Sequence, residues 1–281
     1  MSSLILPRRF TQQPQGAVEV ADSLKNGSIF LLNPALSQPN RHINLVGKNP
    51  ITVVGTTPTA GNVITPIGKG LQFHPAGGSN GIPALSVSAT ALDITKDLTY
   101  FWIGYPSNVT GTCELLARGT ESGNWSINFG ISSTTRVYAT YVDNPPTAGY
   151  TAALTSQSFA IGKLAAVAYR RSANVISVFD GVAKGKASTT GTNAGFRNTT
   201  NTLVLGGGGV TSTPSLHAKT VFAFAVNYDI PDGEVFSILA NPWQIFKPRK
   251  SILYFDAPSF PVLSSLTASY ITSSGGRLTA N

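Results

Sequence analysis

The sequence has 281 residues, of which 42% are apolar and only 11% charged, with 28 Gly, 18 Pro and a formal net charge of +8. Abundant Thr, Ser, Val and Gly with so few charges point away from a helical or α/β enzyme and toward a large all-β protein rich in turns. Its surface is then largely neutral and polar. The single cysteine, Cys113, excludes an internal disulfide framework and a multi-cysteine zinc site. No apolar run approaches the ~20 residues needed to cross a bilayer, so no membrane association is expected. Lys and Arg cluster only at Arg8-Arg9, Arg170-Arg171 and 247–250, without the spacing of a groove reader, and nucleic acid is not expected as a partner.

The first ten residues, MSSLILPRRF, place their charges after a short apolar run, the wrong order for a secretory signal. Synthesis in a cytosol is therefore expected. Residues 1–20 have no helical period and read as an extended arm carrying Arg8, Arg9 and Phe10. IFLL from Ile29 is a buried strand, and the stretch from Asn33 to Pro66 is irregular, with short strands such as ITVV from Ile51. GLQF from Gly70 and the alternating run 82–87 are further strands, separated by the turn HPAGGSNG.

Between Leu92 and Gly209 strand candidates recur about every ten residues, the rhythm of an antiparallel sandwich. They are LTYFWIGY from Leu98, ELLARG from Glu114, WSINFG from Trp125 and RVYATYV from Arg136. LAAVAYR from Leu164 then pairs with VISVF from Val175 across the turn Arg171 to Asn174. Asp180-Gly181 predicts a type I′ turn that reverses the chain directly into a strand from Val182. Leu203-Val-Leu precedes a run of four glycines.

The last strand, VFAFAV from Val221, is apolar on both faces and should be central in a sheet. Pro231 suits the first position of a short helix, with Asp232 and Glu234 at its positive end. Val235, Ile238 and Leu239 form one apolar stripe, and Asn241-Pro242 ends the helix. Trp243, Ile245 and Phe246 follow as packing anchors.

Taken together, DLTYFWIGY, KLAAVAYRRSANVISVFDGV, NTLVLGGGG, VFAFAVNYDIPDGEVFSI and ANPWQIFKPR resemble the laminin-G-like branch of the concanavalin A-like jelly rolls. Within that branch they are similar to bacteriophage virion proteins that end in a like Asn-Pro-Trp-Gln element. TQQPQGAVEV and NGSIFLLNPA are similar to the start of the same proteins, so the resemblance covers about residues 11–250. It implies an antiparallel two-sheet jelly-roll sandwich at 21–250, between an amino-terminal arm (1–20) and a carboxy-terminal arm or partial β module (251–281). It also implies a structural role in the virion, on capsid, neck or tail, beside other virion proteins.

The residues offer little chemistry. Glycoside hydrolysis needs two carboxylates about 5–9.5 Å apart, yet no strand candidate carries a Glu-x-Asp pair. Asp229, Asp232 and Glu234 read as turn and helix-start acids. His42, His74 and His217 lack a nucleophile context, and the glycines from Gly206 lack the Lys-Ser/Thr of a phosphate loop. No catalytic residue, metal site or cofactor is expected.

Two arms suit assembly. Tyr254, Phe255, Phe260, Val262 and Leu263 would be costly to leave in water, about 1.5–3 kcal/mol for each side chain. They are expected, with Arg8, Arg9 and Phe10, to attach the protein to neighbouring virion subunits, including copies of itself. The alternative reading is a tail fibre or carbohydrate-binding module that contacts a host-surface glycan through Trp125, Tyr138 and Tyr141.

Overall fold

The most β-prone run of the sequence occupies the middle of a sheet. In the computed structural model the described residues are 12–14, 18–36, 44–46, 51–54, 61–73, 84–87, 97–108, 113–118, 127–132, 136–142, 149–155, 160–191, 203–206 and 217–248. The chain divides into two compact units, Met1–Arg249 and Lys250–Asn281. All the described residues belong to the first.

Its strands, in chain order, are β1 (Val18–Val20), β2 (Ser28–Leu32), β3 (Ile51–Val54), β4 (Gly61–Thr65), β5 (Gly68–Phe73) and β6 (Ala84–Val87). β7 (Leu98–Asn108), β8 (Cys113–Arg118), β9 (Ile127–Ser132), β10 (Arg136–Val142) and β11 (Gly149–Thr155) follow. The series closes with β12 (Ala165–Ser172), β13 (Val175–Asp180), β14 (Gly185–Thr190), β15 (Leu203–Leu205), β16 (His217–Val226) and β17 (Phe246–Pro248). Among the described residues helices are few: α1 (Asp22–Lys25), α2 (Asp232–Ala240) and the 3-10 turns Pro34–Leu36 and Pro242–Ile245.

These elements make an all-β, jelly-roll-like sandwich of two antiparallel sheets. One sheet runs β14-β13-β12-β7-β16-β5-β4, with β2 added against β16 to make eight strands. The other has seven strands in the order β11-β10-β9-β8-β15-β6-β3. The first core lies between them, built from Phe30, Tyr100, Trp102, Val167 and Val178 on one side and Leu116, Ile127, Phe129, Ile131 and Val137 on the other. Two of its buried polar tips are paired. Tyr100 Oη donates across the sandwich to the Leu115 carbonyl at 3.2 Å, and Trp102 Nε1 donates to Thr220 Oγ1 at 3.0 Å.

A second core covers the other side of the eight-stranded sheet. Phe101, Ile103, Phe179, Phe222 and Phe224 are roofed by Val235, Ile238 and Leu239 of α2, then by Trp243, Ile245 and Phe246. The central strand VFAFAV thus serves two cores: Ala223 and Ala225 fill the first, Phe222, Phe224 and Val226 the second. Val221 joins the second as well, because an irregularity between Thr220 and Phe222 breaks the strict alternation. Val18–Val20, placed in the amino-terminal arm by their sequence, form β1 and pair with β17. Lys247 then binds Asp22 at 2.7 Å and fastens α1 to the end of this layer.

Three local expectations are corrected. The hairpin after Asp180 is not a two-residue turn. Asp180 faces Gly185 across four intervening residues, and the strand starts at Gly185 rather than Val182. Asp180 Oδ1 accepts from the N–H groups of Val182 and Ala183, while Lys184 takes the left-handed φ of 55°. Gly181 is needed for close approach instead, since a Cβ there would lie 2.5 Å from Leu239 Cβ of α2. Pro231 precedes the helix with an extended ψ of 148°, so Asp232 is the first helical residue. Finally, β4 and β11 lie in stretches that carried no strand expectation. In Gly149-Tyr-Thr-Ala-Ala-Leu-Thr, one glycine and two alanines dilute the β-prone Tyr and Thr, which weakens its β signal.

Candidate functional site: the outer face of the seven-stranded sheet

Alternation along β9 and β10 sends Ile127, Phe129, Ile131, Val137 and Ala139 into the first core. Asn128, Arg136, Tyr138 and Thr140 fall at the opposite positions, partly or fully exposed. Register brings them into rows. Glu114 lies opposite Gly130, and Gly130 opposite Tyr138; Ala117, Asn128, Thr140 and Thr151 make the neighbouring row. A bulge at Leu115 sets this alignment, since Leu115 and Leu116 both enter the core and Glu114 is left on the outer side.

The side chains of these rows are wired together. Tyr138 Oη donates to Asn128 Oδ1 at 3.1 Å, and Asn128 Nδ2 donates to Glu114 Oε1 at 2.9 Å. Glu114 is buried at the base of the chain, with 1% exposure, so the carboxylate is a fixed anchor. The hydroxyls of Thr140 and Thr151 lie 2.8 Å apart beside it. Gly130 leaves room between Glu114 and Tyr138, the usual arrangement of an aromatic residue opposite a strand glycine. The result is one aromatic ring, an oriented amide and a line of hydroxyls on a rigid sheet. Such a surface can meet a ligand that is both hydroxylated and apolar on one side.

Of the residues singled out in the sequence, Tyr138 belongs to this face. Tyr141 is in β10, three residues on and hence at a position of opposite alternation, and its side chain lies outside the described residues, as does Trp125. Arg8, Arg9, Phe10, Tyr254, Phe255, Phe260, Val262 and Leu263 are also outside them. Asn128 and Glu114 carried no signal, because only the bulged register brings them together.

The acids expected at the start of the helix hold the fold. Asp232 binds Arg170 Nη1 at 2.6 Å and Lys186 Nζ at 2.7 Å, clamping α2 to β12 and β14. Burial pushes its carboxyl up, but the hydrogen bond from Lys186 and the Arg170 charge outweigh that and hold it below its ordinary 3.8. Asp229 accepts from Ser172 Oγ at 2.9 Å. Among the described residues, no three His, Cys, Asp or Glu side chains gather as a metal site, and no helix is long and apolar enough to cross a membrane.

No family model and no curated protein matches the sequence. Solved structures do match in fold. The Trypanosoma rangeli sialidase in complex with the inhibitor DANA superposes with a TM-score of 0.55 at 13% identity, over 80% of this chain and 34% of that one. The binding domain of Paraclostridial Mosquitocidal Protein 1 gives 0.55 at 10% identity, over 76% and 52%. The Botulinum neurotoxin serotype G binding domain gives 0.54 at 11% identity, over 75% and 50%. The chain thus spans about a third of the sialidase and about half of the toxin domains. At these identities the likeness concerns the fold alone: an all-β, jelly-roll, lectin-like sandwich of the kind those proteins contain.

Proposed function

We propose that the chain is a carbohydrate-binding module of concanavalin A-like type, and that the outer face around Tyr138 is its binding surface. The observation that carries this reading is the hydrogen-bonded chain from Tyr138 through Asn128 to Glu114, beside the Thr140–Thr151 pair. Sugars present hydroxyls at their edge and C–H groups on their face. A half-exposed phenol ring beside an oriented amide answers both. The fold likeness to a sialidase and to toxin binding domains supports the same class. Binding without hydrolysis is the proposal, since a second carboxylate is absent from this chain of side chains among the described residues. Screening the intact protein against immobilised host-surface glycans tests it. Retention of a glycan that is lost in Tyr138→Ala, with no cleavage products, is expected; equal retention by both proteins would reject this surface.

A second reading, compatible with the first, is a bacteriophage virion component attached to its neighbours and to its own copies through the terminal stretches. It rests on the sequence motifs described above and on the division of the chain into two units, Met1–Arg249 and Lys250–Asn281. Removing residues 251–281 should then abolish incorporation into particles while leaving the sandwich folded.

A further inference from the structure

On the far side of the molecule a groove of about 740 Å³ opens where α2 ends. Its walls include Gln12, Ile67, Leu164, Ala240, Pro242 and Trp243, and among the described residues no charged one lines it. Its size falls within the ~300–1,000 Å³ of small-ligand sites.

The main chain at this end of α2 is incompletely paired. The Ile238 carbonyl would bond the N–H of residue 242, which is Pro and has none. The Leu239 carbonyl would bond Trp243 N–H, which instead donates to Asn241 Oδ1 at 3.2 Å. The Ala240 carbonyl would bond Gln244 N–H, which goes to the Asn241 carbonyl. Three carbonyls therefore point along the helix axis with no main-chain donor among the described residues, and no basic residue occupies the last turn.

A donor waits in the same place. Trp243 is only 4% exposed, held edge-on to Phe222 at 5.8 Å and stacked on Phe246 at 6.4 Å. Its indole N–H donates to no acceptor among the described residues, and it is not one of the buried unpaired polar atoms. Gln12, exposed at the rim, adds an amide that can donate or accept. Gln13 beside it is committed to Asn33 and to both main-chain groups of Lys69, and so stiffens the wall.

We propose that this groove is a second ligand site and that it takes a neutral saccharide of one or two rings. The proposal rests on the carbohydrate-binding reading but names a different surface. Hydroxyls donate to the carbonyls of the lining residues Leu239 and Ala240 and accept from the indole N–H, and the aliphatic walls cover the C–H faces. The described walls are neutral, which favours an uncharged ligand over a uronic acid.

The test is calorimetric titration of the intact chain with maltose, cellobiose, lactose and diacetylchitobiose, with glucuronic acid and glucosamine as charged probes. Ala240→Arg places a guanidinium over the free carbonyls and into the groove. It should weaken neutral disaccharide binding at least tenfold while holding or raising the melting temperature, since a cation suits a helix C-terminus. Trp243→Phe keeps the ring packing, removes the N–H and should weaken binding about three- to tenfold. If disaccharide binding is lost in Tyr138→Ala and unchanged in both groove variants, the groove is overturned and the carbohydrate-binding function stands. Binding of glucosamine alone, lost in Ala240→Arg, would overturn the neutral-saccharide assignment. An intact chain that binds none of the probes would overturn the groove proposal, while glycans retained on the screening panel and lost in Tyr138→Ala would still uphold the function.

Discussion

Phe101, Phe222 and Phe224 on the outer side of the eight-stranded sheet are fully buried beneath α2 and the Pro242–Ile245 turn. Asn128, Tyr138 and Thr140 on the outer side of the seven-stranded sheet are half-exposed and bonded to their neighbours. Both faces belong to the same sandwich and alternate against the same first core. What differs is the residue type at the outward positions. An apolar outer face obliges the chain to supply a cover, here the segment after β16; a polar one keeps its hydrogen bonds and stays available to a ligand.

The largest expected effect of breaking this contrast comes from the covered face. Phe224→Ala empties a site stacked on Phe101 at 6.1 Å and should cost about 3–5 kcal/mol, read by denaturant unfolding. A cost below about 1 kcal/mol would mean that α2 is not a necessary roof. Gly181→Ala should cost about 1–3 kcal/mol, because its methyl meets Leu239 and pushes the helix off the sheet. Its insertion at the covered face should leave glycan retention at the other intact wherever the protein is folded.

Asp232→Asn should cost under about 1 kcal/mol, since the carboxylate is 44% exposed and its pairs with Arg170 and Lys186 are screened. The pH dependence follows from the lowered folded value. The Asp232 contribution is fully present above the unfolded value near 3.9 and is lost as pH falls through the lower folded one. The wild-type protein should therefore lose its small advantage over Asp232→Asn on that acid limb; an advantage lost only above pH 6 would contradict the clamp. Smallest of all, Tyr138→Phe removes one partly exposed hydrogen bond and should change stability by no more than about 0.5 kcal/mol, the low end for such a bond.

The covered half of the molecule was the more legible in the sequence. Val235, Ile238 and Leu239 announce their shared stripe by spacing, and the two apolar faces of VFAFAV announce a strand with cores on both sides. The open half was legible only in part. RVYATYV marks β10 and exposes Tyr138 as a candidate, but the partners of Tyr138 depend on the register of three strands and on the bulge at Leu115. Nothing local in ELLAR or INFG brings Glu114 to Asn128. The turn at Asp180-Gly181 failed for a related reason. Its glycine serves contact with a helix some sixty residues later, a demand that dipeptide turn preferences do not contain.

Glycan binding at the open face should be separable from the stability of the sandwich. The most direct measurement takes Tyr138→Ala and the wild-type protein through thermal unfolding and through titration with the glycan selected on the panel, in parallel. The expected result is a melting temperature lowered by no more than about 2–4 °C, for about 1 kcal/mol, together with loss of the binding isotherm. A folded Tyr138→Ala that binds the same glycan as tightly as the wild type would contradict the assignment of this face.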